Sequence, residues 1–128
     1  MDTSVFIAIE RGQLSLEEIL ARTNVDVALS VITASELRHG VERATPPLRR
    51  AKRERFVELV LELVPTVAID LDIARVHARV CAQLAGLGTP IGAHDAWIAA
   101  TALWRGDGIA TRNLREFERV EGLRVEAW

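Results

Sequence analysis

Apolar positions come in short bursts along this chain, and their period switches between helical and extended, which marks out the elements. Residues 3–11 predict a short helix closed by Gly12. Ser15 is placed to cap a second helix running to about Arg22, with Glu17 and Glu18 suited to its positive end. The β-branched run Asp26–Val31 predicts a strand. Thr33 opens a helix reaching about Arg43, and Pro46-Pro47 prevents its continuation.

The helix at about 47–64 places Phe56, Leu59, Val60 and Leu63 at the spacing of one buried face. Pro65 ends it, and Thr66–Ile69 reads as a strand. Helix 71–86 carries two apolar stripes, Leu71/Ala74/Ala78/Cys81/Ala85 and Ile73/Val80/Leu84/Leu87, and so is expected to be largely enclosed. Helix 94–105 is apolar nearly all round and should be central. Ile109–Thr111 and Leu123–Glu126 complete the strands. Strands separated by helices predict an α/β layered domain spanning 1–128, its central sheet mainly parallel and flanked by helices.

Composition narrows the class. The 128 residues are 49% hydrophobic and 27% charged, as in a soluble globular protein, and one domain of this length buries a sufficient core. No apolar stretch approaches the ~20 residues needed to span a bilayer, and no export signal opens the chain, so a cytoplasmic location without membrane contact is expected. The lone Cys81 fits a reducing compartment and a small core position. A net charge of -2 is not that of a protein that grips nucleic acid non-specifically, so any RNA contact must use local basic patches or bridging cations.

Candidate chemistry lies in acids at element ends. Asp2 precedes the first helix, Glu36 sits early in a helix after a strand, and Asp95 opens the central helix, while Asn113 and Glu116 follow the strand at 109–111. In a parallel α/β sheet such positions gather on one edge. Converging carboxylates repel by roughly 4 kcal/mol per pair at about 4 Å in an effective dielectric of about 20. Protons, basic residues or a divalent cation would relieve this, and oxygen ligands favour Mg²⁺ or Mn²⁺, the chemistry of nucleases. Helix capping is the competing account: Thr33-Ala-Ser-Glu36 has the form of a capping box, and Asp2, Asp95 and Asn113 all suit helix starts. Spacing alone leaves the two open.

The wording of the motifs adds a resemblance. Asp2-Thr-Ser-Val-Phe-Ile, Thr33-Ala-Ser-Glu36-Leu, His94-Asp95-Ala-Trp-Ile-Ala-Ala-Thr-Ala and Thr111-Arg-Asn113-Leu-Arg-Glu116-Phe resemble, in order, the signature blocks of PIN-domain VapC toxins. The resemblance covers essentially the whole chain. It implies an endoribonuclease that cleaves RNA with a metal-activated water, and Asp2, Glu36 and Asp95 as acidic ligands of Mg²⁺ or Mn²⁺. The fourth site falls to Asn113, where many relatives have aspartate, or to Glu116. Thr111 would position that loop or a catalytic carboxylate. The implied partner is a VapB-type antitoxin, and a homodimer is expected. The family's short apolar strand ahead of the first aspartate is reduced here to Met1, so the first strand is expected to be truncated.

Other residues carry less. Arg112 and Arg115 lie near the expected crevice and are candidate phosphate contacts, whereas Arg49–Arg55 reads as the solvated start of an amphipathic helix. Trp97 and Trp104 are expected in the core or a dimer contact. His39 and His77 lack a second histidine at zinc-ligand spacing. A phosphoacceptor receiver domain would need a late lysine, but Lys52 is the sole lysine. A haloacid-dehalogenase-type phosphatase would need aspartate where Ser4 stands. A catalytically inactive PIN-like binding module is the remaining alternative.

Overall fold

A computed structural model describes residues 1–22 and 26–128. Its elements run α1 (Thr3–Glu10), α2 (Leu16–Arg22), β1 (Leu29–Ser30), α3 (Val31–Glu42), α4 (Pro47–Leu63), β2 (Thr66–Val67), α5 (Leu71–Gly86), α6 (Ala93–Arg105), β3 (Ile109–Thr111), α7 (Leu114–Phe117) and β4 (Val125–Ala127). Strands alternate with helices as the pattern predicts, and all observed pairings are parallel: β1 with β2, and β3 with β4.

These pairs are separate two-stranded sheets, and the first two residues stand between them. The Met1 amine donates to Ala28 O at 2.7 Å, and Asp2 N donates to Ala110 O at 2.9 Å. Met1-Asp2 thus occupies a strand position between β1 and β3 and ties the start of α1 to the end of β3.

The core has two lobes. Phe6, Leu16, Leu29, Leu37, Val41 and Val57 belong to one, joining α1–α4 around β1. Val80, Leu84, Ile98, Ala99, Ile109 and Phe117 belong to the other, where α5 and α6 pack on β3. Gly106 stops α6 with φ of 71°, a left-handed cap that suits glycine.

Several expectations change in three dimensions. The buried face of α4 is Val57 and Val60, continued by Val64 beyond its end; Leu59 and Leu63 remain 47% and 48% exposed. The same helical period fits both stripes, and packing against α3 selects the valine side. Helix α5 is enclosed on one stripe only. Ile73, Val80 and Leu84 are buried, while Leu71, Leu87, Ala78 and Cys81 face outward, so Cys81 is not a core residue. The strand expected at 26–31 is paired only at Leu29–Ser30. Trp97 lies flat on His77, with centroids 3.6 Å apart and planes 8° from parallel, so that ring joins α5 to α6. Among the described residues, no helix is long and apolar enough to cross a membrane.

Candidate active site

Capping explains one of the acids and not the others. Helix α3 starts two residues earlier than expected, because Ser30 Oγ accepts from Ile32 N at 3.1 Å and supplies the cap. Thr33 therefore lies inside the helix, its buried hydroxyl unpartnered, and the expected capping box does not form. Glu36 is left to face the crevice, where its Oε1 is buried without a hydrogen bond and lies 3.6 Å from His94 Nδ1. Likewise Gly92 precedes α6 without a side-chain cap, and Asp95 in the first turn bonds Glu116 instead of capping the helix. Asn113 precedes α7 without making a side-chain cap.

Asp2 does cap α1, and that bond is part of a larger knot. Its Oδ2 accepts from Ser4 N at 3.4 Å, from Ser4 Oγ at 2.7 Å and from Thr111 Oγ1 at 2.9 Å. Ser4 Oγ also accepts from Arg112 N at 2.9 Å, and Thr111 Oγ1 accepts from Asn113 N at 2.9 Å. Every one of these bonds to the buried carboxylate is made to Oδ2. Two hydroxyls thus fix the rotamer of Asp2 and leave Oδ1 for other contacts.

The remaining acids act on one another. Burial raises the Asp95 pKa from its ordinary 3.8 to about 7, reinforced by a hydrogen bond with Glu116 and by the charges of Asp2, Glu116 and Glu36. Glu116 moves the other way, held low first by its bond to Asp95, then by Gly92 N at 3.3 Å and by Asn113. The direction for the pair is that Asp95 carries the proton it shares with Glu116. Burial also raises the Glu36 pKa, against the favourable neighbourhood of Thr3 and His94. Four acids, Asp2 capping α1 and one each on α3, α6 and α7, therefore feel one crevice, and their mutual repulsion is relieved in part by a retained proton.

Among the described residues, no three His, Cys, Asp or Glu side chains are gathered closely enough to hold one ion. The donors are nevertheless all carboxylate oxygens, one of them buried and unpaired. Mg²⁺ commonly takes only one or two carboxylates and keeps several waters, and this set suits that mode. Of the expected site residues, Asp2, Thr111 and Asn113 form one continuous hydrogen-bonded group, and Asp95 with Glu116 forms a second. Glu36 stands across from them beside His94. Asn113 serves Glu116 as a donor. Arg112 is engaged by Gln13 Oε1, while Arg115 is exposed.

Ser4 is the residue that sequence reasoning missed. It figured only inside the Asp2-Thr-Ser-Val-Phe-Ile block and as the wrong residue for a phosphatase, although a serine two positions after a capping aspartate could have flagged the contact. Ser4→Ala is expected to lower nuclease activity about 10-fold by loosening Asp2, the range for residues that orient ligands. Ser4→Thr should restore most of it. The check is kcat beside a thermal melt, since a merely structural loss would move the melt and spare kcat of the folded fraction.

A parallel α/β domain has thus brought acids from four separate segments toward one crevice. The chain belongs to the PIN-domain family, whose model matches residues 1–123. It is 34% identical over 125 residues to "Ribonuclease VapC1" of Rickettsia felis, an alignment covering 98% of this chain and 92% of that one. It is 36% identical over 115 residues to the "tRNA(fMet)-specific endonuclease VapC" of Salmonella typhimurium, covering 88% and 85%. Among solved structures, the DNA-bound VapBC of Salmonella typhimurium superposes with a TM-score of 0.86 at 33% identity, over 99% of this chain and 95% of that one.

Proposed function

We propose that this chain is an endoribonuclease, the toxin of a VapBC-type pair, with Asp2, Glu36, Asp95 and Glu116 as its acidic centre. The observation that carries the reading is the set of acids on α3, α6, α7 and at the start of α1 that act on one another in one crevice. A carboxyl that keeps a proton to about pH 7 among three other acids marks a site that lacks positive charge. Capping does not account for that arrangement at Glu36, Asp95 or Glu116. The ribonuclease names of relatives that align over most of this chain support the same reading.

Mg²⁺ or Mn²⁺ is the proposed cofactor, and it would supply charge to neutralise the carboxylates and the developing phosphorane oxygens. Asp2 is held through Oδ2 by Ser4 and Thr111, which orients the carboxylate before substrate arrives. Asp95 and Glu116 share a proton and are matched to exchange one near neutral pH. Asn113 and Gly92 N keep Glu116 ionised and in place. The exposed Arg115, one residue before Glu116, is the proposed contact for a phosphate of the RNA strand. The proposed partner is a VapB-type antitoxin, and Leu59 and Leu63 on α4 give it exposed apolar surface. The outward stripe of α5 is the candidate homodimer face.

The test is cleavage of bulk bacterial RNA by the purified chain. Activity should vanish in excess EDTA and return with Mg²⁺ or Mn²⁺. Cleavage undiminished by EDTA would overturn the cofactor, and no cleavage in either metal would favour the inactive binding module.

A further inference from the structure

A groove between α1, α3 and α4 takes in Glu36 and His94 of the acidic crevice, and Glu10, His39 and Arg53 are among its other polar lining residues. Thr3, Glu36 and His94 line the end at the site. Arg11 and Arg43 line it as well, and they are the residues that terminate α1 and α3. At about 1.5 Å per residue, Arg11 lies about 12 Å along α1 from Thr3, and Arg43 lies about 10 Å along α3 from Glu36. Both arginines therefore stand at a similar remove from the acids.

The neighbouring charges are already matched. Glu10 is held by Arg53 at 2.7 Å, and Glu42 by Arg50 at 2.7 Å and by Arg38. Glu54 and Glu58 also bond Arg38. Among the described residues, neither Arg11 nor Arg43 has an ion pair, and both are exposed. A helix C-terminus favours a cation modestly, which gives each arginine a local reason to be there. That local reason does not bring two unmatched guanidinium groups into one groove that continues an acidic centre, in a chain of net charge -2. An anion with one reacting group at the acids and further negative charge along the groove matches this pattern, and an RNA strand has that form.

We infer that Arg11 and Arg43 form a phosphate-binding station for the RNA strand, distinct from Arg112 and Arg115, which holds a phosphate beyond the one that reacts. The inference rests on the ribonuclease reading only for its kinetic test. Its binding test is independent of cleavage.

Two measurements on the full chain decide it, with bulk bacterial tRNA as the probe. In filter binding in EDTA, the double variant Arg11→Ala/Arg43→Ala should lower the slope of log affinity against log salt by between about 1 and 2. In cleavage with Mg²⁺, the same variant should raise KM about 10-fold and leave kcat within about 2-fold, because the station binds substrate and transition state alike. Arg11→Lys/Arg43→Lys should recover most of both effects. Arg49→Ala/Arg55→Ala removes equal charge from exposed positions outside the groove and should change neither by more than about 2-fold. A thermal melt of each variant identifies folding losses, and the lysine pair keeps the test valid if the alanine pair is unstable. An unchanged slope and KM overturn the station, as does a loss matched by Arg49→Ala/Arg55→Ala. A variant that binds RNA normally but loses affinity for the antitoxin also overturns it and assigns the groove to protein. If the intact chain cuts no RNA, yet the slope falls only in the groove variant, the station stands and the nuclease reading fails.

Discussion

Asp95→Asn is expected to abolish most RNA cleavage and at the same time to make the metal-free protein more stable at neutral and alkaline pH. Loss of one acidic group from a phosphodiester-cleaving centre removes several kcal/mol of transition-state stabilisation, which corresponds to about 10²–10³-fold in kcat. The stability change has the opposite sign for a physical reason. Folding raises the Asp95 pKa from 3.8 to about 7, so the native state keeps a proton that the unfolded chain has lost across that interval. Protons then bind more strongly to the native state, and stability falls as pH climbs toward about 7. An amide is neutral at every pH and escapes this loss. Wild type and Asp95→Asn should therefore melt alike near pH 4, diverge between about pH 4 and 7, and keep a constant gap above that, with the variant higher in EDTA. Equal cleavage by both proteins would end the proposed site. A variant less stable than wild type at pH 8 would show that Asp95 serves the fold instead.

Phe117→Ala should give the largest stability loss, about 3–5 kcal/mol, read as a lower denaturant midpoint. The ring is fully buried and packs in the lobe built from Val80, Leu84, Ile98, Ala99 and Ile109. Truncation would open a cavity between α6, β3 and α7, in a domain whose whole stability is expected to be about 5–15 kcal/mol. The consequence reaches the site, because Glu116 is the preceding residue on a four-residue helix that has little else to hold it. Loss of the anchor should free Glu116 from Asp95 and Gly92, so residual activity should fall even in the folded fraction. Phe117→Leu keeps most of the volume and should cost less than about 1.5 kcal/mol. Full activity per folded molecule in Phe117→Ala would mean that α7 holds its position without the ring.

The elements of the fold were largely legible because each depends on short-range signals. Gly12 and Gly106 end helices, Ser15 starts one and Pro65 stops another, and these effects act within a turn of the residue concerned. The faces were less legible. The expected stripe Phe56/Leu59/Val60/Leu63 and the buried one Val57/Val60/Val64 are equally periodic and share Val60, and the two stripes of α5 are equally periodic as well. Periodicity states that a helix has an apolar side, and only the partner helix decides which side is covered. The same limit applied to Thr33 and Glu36. A capping box is a local pattern, but Ser30 lies three residues upstream with its own capping oxygen, and where the parallel pair at Leu29–Ser30 ends determines which of the two starts α3.

By itself, the sequence determined the alternation of strands and helices, the acids at element ends and, through ordered motifs, the family. Those features are set by residue type and local spacing. Tertiary structure alone decided which acid caps a helix and which acids act on one another. It placed Thr111, from the far end of the chain, and Ser4 on one oxygen of Asp2, and it set Glu116 against Asp95 so that one carboxyl keeps a proton to about pH 7. Burial and the approach of like charges produce that shift, and neither exists until segments distant in sequence are packed together.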